Sequence, residues 1–239
     1  REYLKKIYNY SYRYLVILAS RQAEKSSYLS KDMLADAILN SNDSLLYVTA
    51  QQMQADEFVH RKINRQFELN PTLEQDYLGA GSINNIRDKV LNNGTTLTFR
   101  AIGQSADSAR GIPARKIFFD EVQSILSDNI PIVTEGAQSF PHNSAFFFAG
   151  TPLSTRNVLS QKYYETKQFE WLVTCDHCNY QNPPLGMEHI DTNKPFLFCL
   201  HCGKEMDPMH ANWVSMNPDA LLAGFRISRL MTPTCTWRT

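Results

Sequence analysis

Strand-like runs alternate with helix-patterned stretches from Tyr14 to Ala149, and that alternation restricts the chain to very few folds. YLVIL at 14–18, LLYV at 45–48, TTLTF at 95–99, KIFF at 116–119 and AFFFA at 145–149 are short and mostly apolar. A continuous apolar run of this length reads as a strand buried on both faces, as in a parallel sheet. Between these runs, Ser26 to Asn40 carries Met33, Leu34, Ala37 and Ile38 on one side, and Gln51 to Phe67 includes Phe58 and Ile63. Both stretches read as helices, and a further helix is expected from Glu121. Pro71 to Ile86 reads as loop, and Asn92-Asn93-Gly94 as a turn. The pattern predicts an α/β fold: a mostly parallel sheet flanked by helices on both faces, with ligands bound at the carboxyl ends of the strands.

Composition narrows the function. Lys+Arg and Asp+Glu each number 24 in 239 residues. Neutrality argues against static phosphate binding over the whole surface, while a local patch still permits a transient grip on nucleic acid. Hydrophobic residues make up 43%, enough for a sizeable core. No run of 18 apolar residues exists, so no membrane span is expected. The chain starts at Arg1 with nothing like a signal peptide, and is expected to begin inside a longer reading frame.

Ala19-Ser-Arg-Gln-Ala-Glu-Lys25-Ser26 lies between the first strand and the first long helix. Backbone N–H groups at a helix start can cradle phosphates, Lys25 can reach the β/γ-phosphates, and the Ser26 hydroxyl can hold Mg²⁺. The spacing is that of a phosphate loop, but Ala19 and Glu24 stand where it has glycine. Lys116-Ile-Phe-Phe-Asp120-Glu121 is an apolar strand ending in two acids. Asp120 suits the magnesium side of a hydrolytic site and Glu121 the base that orients water. A helix-capping role would also account for Asp120.

From Trp171 the texture changes to Pro- and Asn-rich sequence. Cys175-x2-Cys178 and Cys199-x2-Cys202 can close a tetrahedron of four thiolates about one zinc, with Gly203 suiting a knuckle turn. A closed four-cysteine site is structural. His177, His189, His201 and His210 read as bystanders, and Cys235 stands apart.

These motifs together resemble the large subunit of the terminases, the DNA-packaging motors of tailed phages, in its zinc-containing subgroup. The resemblance rests on the Arg21-bearing loop before Lys25-Ser26, the strand ending in Asp120-Glu121, Ala109-Arg110-Gly111, Phe148-Ala-Gly-Thr151-Pro152 as a coupling motif, the cysteine pairs, Trp213 and Gly224-Phe-Arg-Ile-Ser-Arg-Leu-Met. It implies a RecA-like (ASCE) ATPase over 1–170, a zinc ribbon over 171–215, and a linker over 216–239 toward a nuclease domain absent from this chain. It also implies that ATP lies along Ser20, Arg21, Gln22, Ala23, Glu24, Lys25, Ser26 and Ser27, with Asp120 and Thr151 completing the site. Catalysis would fall to Glu121 and Lys25, with Arg110 or Arg21 as an arginine finger. Tyr8, Tyr10 or Tyr12 would suit stacking on adenine. Implied cofactors are ATP, Mg²⁺ and Zn²⁺. Implied partners are double-stranded DNA, the portal protein, the small terminase subunit and further copies in a ring of five. The place of work would be the host cytoplasm, transiently at the portal vertex of the procapsid. Two other readings stay open: a helicase-like ATPase, and a non-catalytic zinc-ribbon module on a degenerate phosphate-loop fold.

Overall fold

The computed structural model describes residues 2–232 except 10, 11, 80, 192 and 195. Tyr10 and Cys235 therefore lie outside the described residues. Helix α1 (Glu2–Tyr8) precedes β1 (Tyr14–Ala19), α2 (Lys25–Leu39) and β2 (Ser44–Thr49). A long helical stretch follows: α3 (Gln52–Phe58), a π-helical turn at Val59–Asn64 and α4 (Arg65–Leu69). Then come α5 (Pro71–Tyr77), β3 (Ile83–Asn84), β4 (Asp88–Val90), β5 (Thr96–Ala101), β6 (Lys116–Phe119), α6 (Asn129–Thr134), β7 (Ala145–Gly150) and α7 (Val158–Tyr164). The last strands are β8 (Phe169–Val173), β9 (Leu197–Phe198), β10 (Glu205–Met206), β11 (Ala211–Ser215) and β12 (Ala223–Ile227).

Ten strands form one sheet in the order β11-β8-β12-β1-β7-β6-β2-β5-β4-β3. From β8 to β5 every pairing is parallel, while the pairings β11–β8 at one edge and β5–β4 and β4–β3 at the other are antiparallel. The pleat sends alternate residues to opposite faces. Leu15, Ile17, Leu45, Tyr47, Phe118 and Phe147 pack under α1, α2 and α3. Val16, Leu18, Leu46, Val48, Ile117, Phe119 and Phe148 pack against α7 and the segment between β5 and β7. Both faces are covered, which is why these strands are apolar throughout. No helix among the described residues is long and apolar enough to cross a membrane.

Three expectations change. The helix expected from Glu121 is a single 3₁₀ turn, Val122–Ser124, and the next α-helix starts at Asn129. Glu121 itself is left-handed, with φ 52° and ψ 41°, so the chain turns sharply off β6 instead of winding into a helix. The expected loop from Pro71 holds α5, with proline at its first position, where its missing N–H costs nothing. The expected boundary between 170 and 171 falls inside β8. β8 and β11 flank the cysteine segment and pair in the large sheet, and β12, from the stretch read as a linker, lies between β8 and β1. Aromatic burial explains this: Trp171 and Trp213 meet edge-on at 5.3 Å, Trp213 meets Phe225 at 4.9 Å, and the Trp213 indole N–H donates to the Tyr3 carbonyl at 2.8 Å. Such large side chains need the main core.

Charges fix α2 against the start of β6. Arg115 reaches Asp43 at 2.6 Å and Asp36 at 2.9 Å. Lys116, nearly buried, reaches Asp36 at 3.0 Å and also pairs with Asp32. Burial pushes the Asp32 carboxyl up, and Lys116 opposes it. Lys116→Ala would leave two acids of α2 with a buried partner missing, and is expected to cost about 3–5 kcal/mol. Urea unfolding of the two proteins checks this, and a loss below about 1 kcal/mol would deny the network that role.

Candidate functional site

Adjacent turns at the carboxyl ends of β1, β6 and β7 build the site. After Ala19 the chain makes a tight loop, anchored where Ser20 N–H donates to the Ile227 carbonyl at 2.9 Å, and α2 begins at Lys25. Gln22 and Glu24 are left-handed, with φ of 59° and 64°. Glu24 thus keeps the backbone conformation that a glycine would adopt freely, at a strain on the order of 1–3 kcal/mol. Ala19, by contrast, ends a strand and does not have a positive φ.

The basic and acidic turns meet directly. Lys25 Nζ lies 2.6 Å from Glu121 Oε1, with the Lys25 side chain 12% and the Glu121 side chain 26% exposed. Ser26 Oγ donates to Asp120 Oδ2 at 2.8 Å, and Tyr47 from β2 donates to the same oxygen at 3.1 Å. The Glu121 N–H donates to Asp120 Oδ1 at 2.9 Å. Burial pushes the Asp120 carboxyl above its ordinary range, while Lys25 and the Ser26 hydroxyl pull it back. Burial, and then Asp120, raise the Tyr47 phenol well above its ordinary value, so Tyr47 remains a donor.

Beside Ser26, Asp120 and Glu121 opens a cavity of about 570 Å³, lined also by Tyr47, Thr49, Gln54, Glu57, Phe58, Arg61 and Lys62. The π-helical turn presents Arg61 and Lys62 there, and Lys62 Nζ donates to Ser27 Oγ at 2.9 Å. Thr151 joins the site through one side chain: its N–H donates to Gln123 Oε1 at 3.1 Å, and Gln123 Nε2 donates to Glu121 Oε2.

Sequence reading missed Tyr47, Lys62 and Gln123. Tyr47 gave one signal, a hydroxyl inside the LLYV run. Gln123 gave none, since a helix from Glu121 would have aimed it elsewhere. Arg21 is exposed on the loop. Arg110 is exposed before Gly111 and lies 3.5 Å from Asp107. Neither is among the described residues that line the cavity. Tyr8 packs edge-on against Tyr28 at 5.0 Å, and Tyr12 against Phe225 at 5.8 Å.

A second cluster lies between β8 and β11. The Sγ atoms of Cys175, Cys178, Cys199 and Cys202 all fall within 4.8 Å of one another. Cys175–Cys202 and Cys178–Cys199 are each 3.7 Å apart. Four sulfurs about 2.3 Å from one zinc would be separated by roughly 3.8 Å along each tetrahedral edge. The two knuckles are built alike. Asn179 and Gly203 are left-handed, with φ of 58° and 69°, and donate to the Cys175 and Cys199 carbonyls, both at 2.9 Å. Cys199 Sγ also accepts from the His201 N–H at 3.4 Å and the Asn182 amide at 3.6 Å, as thiolate ligands commonly do. His189 is buried with Nδ1 accepting from the Gly186 N–H, and His210 pairs with Asp176.

Residues 1–220 match the family model described as phage terminase large subunit gpA, ATPase domain. A comparison with curated proteins finds no match. Among solved structures, the HK97 bacteriophage large terminase aligns at TM-score 0.52 and 15% identity over 63% of this chain and 32% of that one. A mutant of the Thermus phage P74-26 large terminase ATPase domain aligns at 0.53 and 14%, over 68% of this chain and 67% of that one. The chain thus spans about a third of the HK97 protein, and at these identities the likeness is one of fold. The family match runs through the turn before Lys25, the acid strand and the cysteine cluster, so the chain belongs to the phage terminase large subunit family, as its gpA-type ATPase domain.

Proposed function

We propose that this chain hydrolyses ATP to ADP and phosphate in a motor that drives double-stranded DNA into a procapsid. The observation carrying this reading is the direct contact of Lys25 with Glu121 and of Ser26 with Asp120. Lys25 would bind the β/γ-phosphate oxygens, and backbone N–H groups at the start of α2 would take the remaining phosphate charge. Ser26 and Asp120 would hold Mg²⁺, which when bound neutralises charge on the phosphates. Glu121, released from Lys25 once phosphates replace it, would orient the attacking water and accept its proton. The sheet, with β7 between the phosphate-loop strand and the acid strand, suits a RecA-like ATPase of the ASCE type.

The same reading extends to assembly. The portal protein, the small terminase subunit and other copies in a ring, five by the family resemblance, are the partners, at the portal vertex in the host cytoplasm. Arg110, exposed on its turn, would serve a neighbouring subunit's site, and Arg21 its own. Residues 174–210 would form a zinc ribbon inserted between β8 and β11. The helicase-like and non-catalytic alternatives are not favoured by the family match.

Two experiments follow. Glu121→Gln should bind ATP as the parent does and lose turnover about 10²–10⁴-fold, whereas Lys25→Ala should lose affinity. Phosphate release and nucleotide titration measure both, and undiminished turnover in Glu121→Gln would contradict the role of Glu121. Metal analysis of reduced protein should give one zinc per chain, lost in Cys199→Ser with faster amide exchange over 174–210. Protein free of zinc yet protected there would refute the metal site.

A further inference from the structure

Gln123 holds a place that the catalytic roles above leave unassigned. The left-handed Glu121 and the 3₁₀ turn Val122–Ser124 fold the Gln123 side chain back beside Glu121. Its amide is gripped at both ends. The Thr151 N–H can only donate, so Gln123 presents its oxygen there, at 3.1 Å. That choice turns Nε2 toward Glu121 Oε2, to which it donates. Gly150 is part of the same fitting, because a Cβ at that position would lie 2.2 Å from Gln123 Oε1. The other carboxylate oxygen of Glu121 is the one paired with Lys25.

We propose that Gln123 is a positioning residue, which holds the Glu121 carboxylate in place against the turn after β7. The inference rests on the hydrolytic reading of Glu121. When phosphates draw Lys25 away, Glu121 loses its cation but keeps the Gln123 donor, so the carboxylate stays aimed while its free oxygen turns to water. The same side chain ties any movement of Glu121 to the Thr151 backbone. A space-filling glutamine would need neither its donor nor its amide polarity. A positioning one needs both.

The test compares the parent chain with Gln123→Ala and Gln123→Glu. The glutamate variant keeps the volume and the acceptor for Thr151 but replaces the donor to Glu121 with an oxygen. In both, kcat should fall about 10- to 100-fold, as for lost partners of a reacting group, with the Kd for a fluorescent ATP analogue unchanged within about threefold. Amide exchange at Thr151 should quicken in Gln123→Ala and less so in Gln123→Glu. Parental kcat in Gln123→Glu, or unchanged Thr151 exchange in Gln123→Ala, would overturn the proposal. Failure of the underlying reading looks different: the parent chain itself would bind nucleotide and not turn it over, and Thr151 exchange would still decide whether the link exists. Should Gln123→Ala fold poorly, Gly150→Ala displaces the same amide by collision and should lower kcat likewise.

Discussion

The contact between Lys25 and Glu121 exists because β1 and β6 flank a single strand, β7, in a parallel register that carries β1 beyond the end of β6, where Glu121 turns off. Leu18 is level with Gly150 on β7, and Phe119 with Phe148. Two strand spacings are roughly 10 Å, a gap that a lysine from one turn and a glutamate from the other can close. Parallel pairing sets this level, and burial of both faces sets the pairing, since a slip of one residue would send Phe118 and Phe119 to the wrong faces. The Lys116 and Arg115 network adds a second fix, holding the helix that carries Lys25 and Ser26 against the strand that carries the acids. The geometry at the carboxyl end of β6 therefore depends on ion pairs at its other end.

Both sites turn on left-handed residues. Gln22, Glu24 and Glu121 stand around the Lys25–Glu121 contact, and Asn179 and Gly203 close the two cysteine turns. Only one of these five is glycine. Strain of this kind persists where surrounding contacts over-determine the backbone. At Glu121 the contacts are its own N–H to Asp120 and its carboxylate to Lys25 and Gln123.

Much of this was legible in the chain. The runs around Val16, Leu46, Phe118 and Phe147 are strands because apolar side chains on both faces leave no solvent-facing alternative. Lys25, Ser26, Asp120 and Glu121 stand out in the chain as polar groups just past strand-like runs, and the fold brings them into contact. The cysteine pairs were legible from spacing alone. Other features depend on tertiary contact. β12 has no alternating helix to announce it, and Trp171 and Trp213 look like the start of a separate module until the sheet is seen to need them. Glu121 reads as a helix starter in isolation, and only its pairing reveals a left-handed turn. Gln123 follows from that turn and was hidden with it. Lys62 reaches Ser27 because a π-helical turn shifts the helix register, which periodicity at 3.6 residues does not anticipate.

The central claim is that Lys25 is held by Glu121 until phosphate replaces it, which frees the carboxylate for water. A crystal structure of the chain with Mg²⁺ and a non-hydrolysable ATP analogue tests it most directly. The account predicts Lys25 Nζ on phosphate oxygens, parted from Glu121, with Ser26 and Asp120 beside the metal and Gln123 still donating to Glu121. A nucleotide bound with the 2.6 Å Lys25–Glu121 pair intact would contradict it.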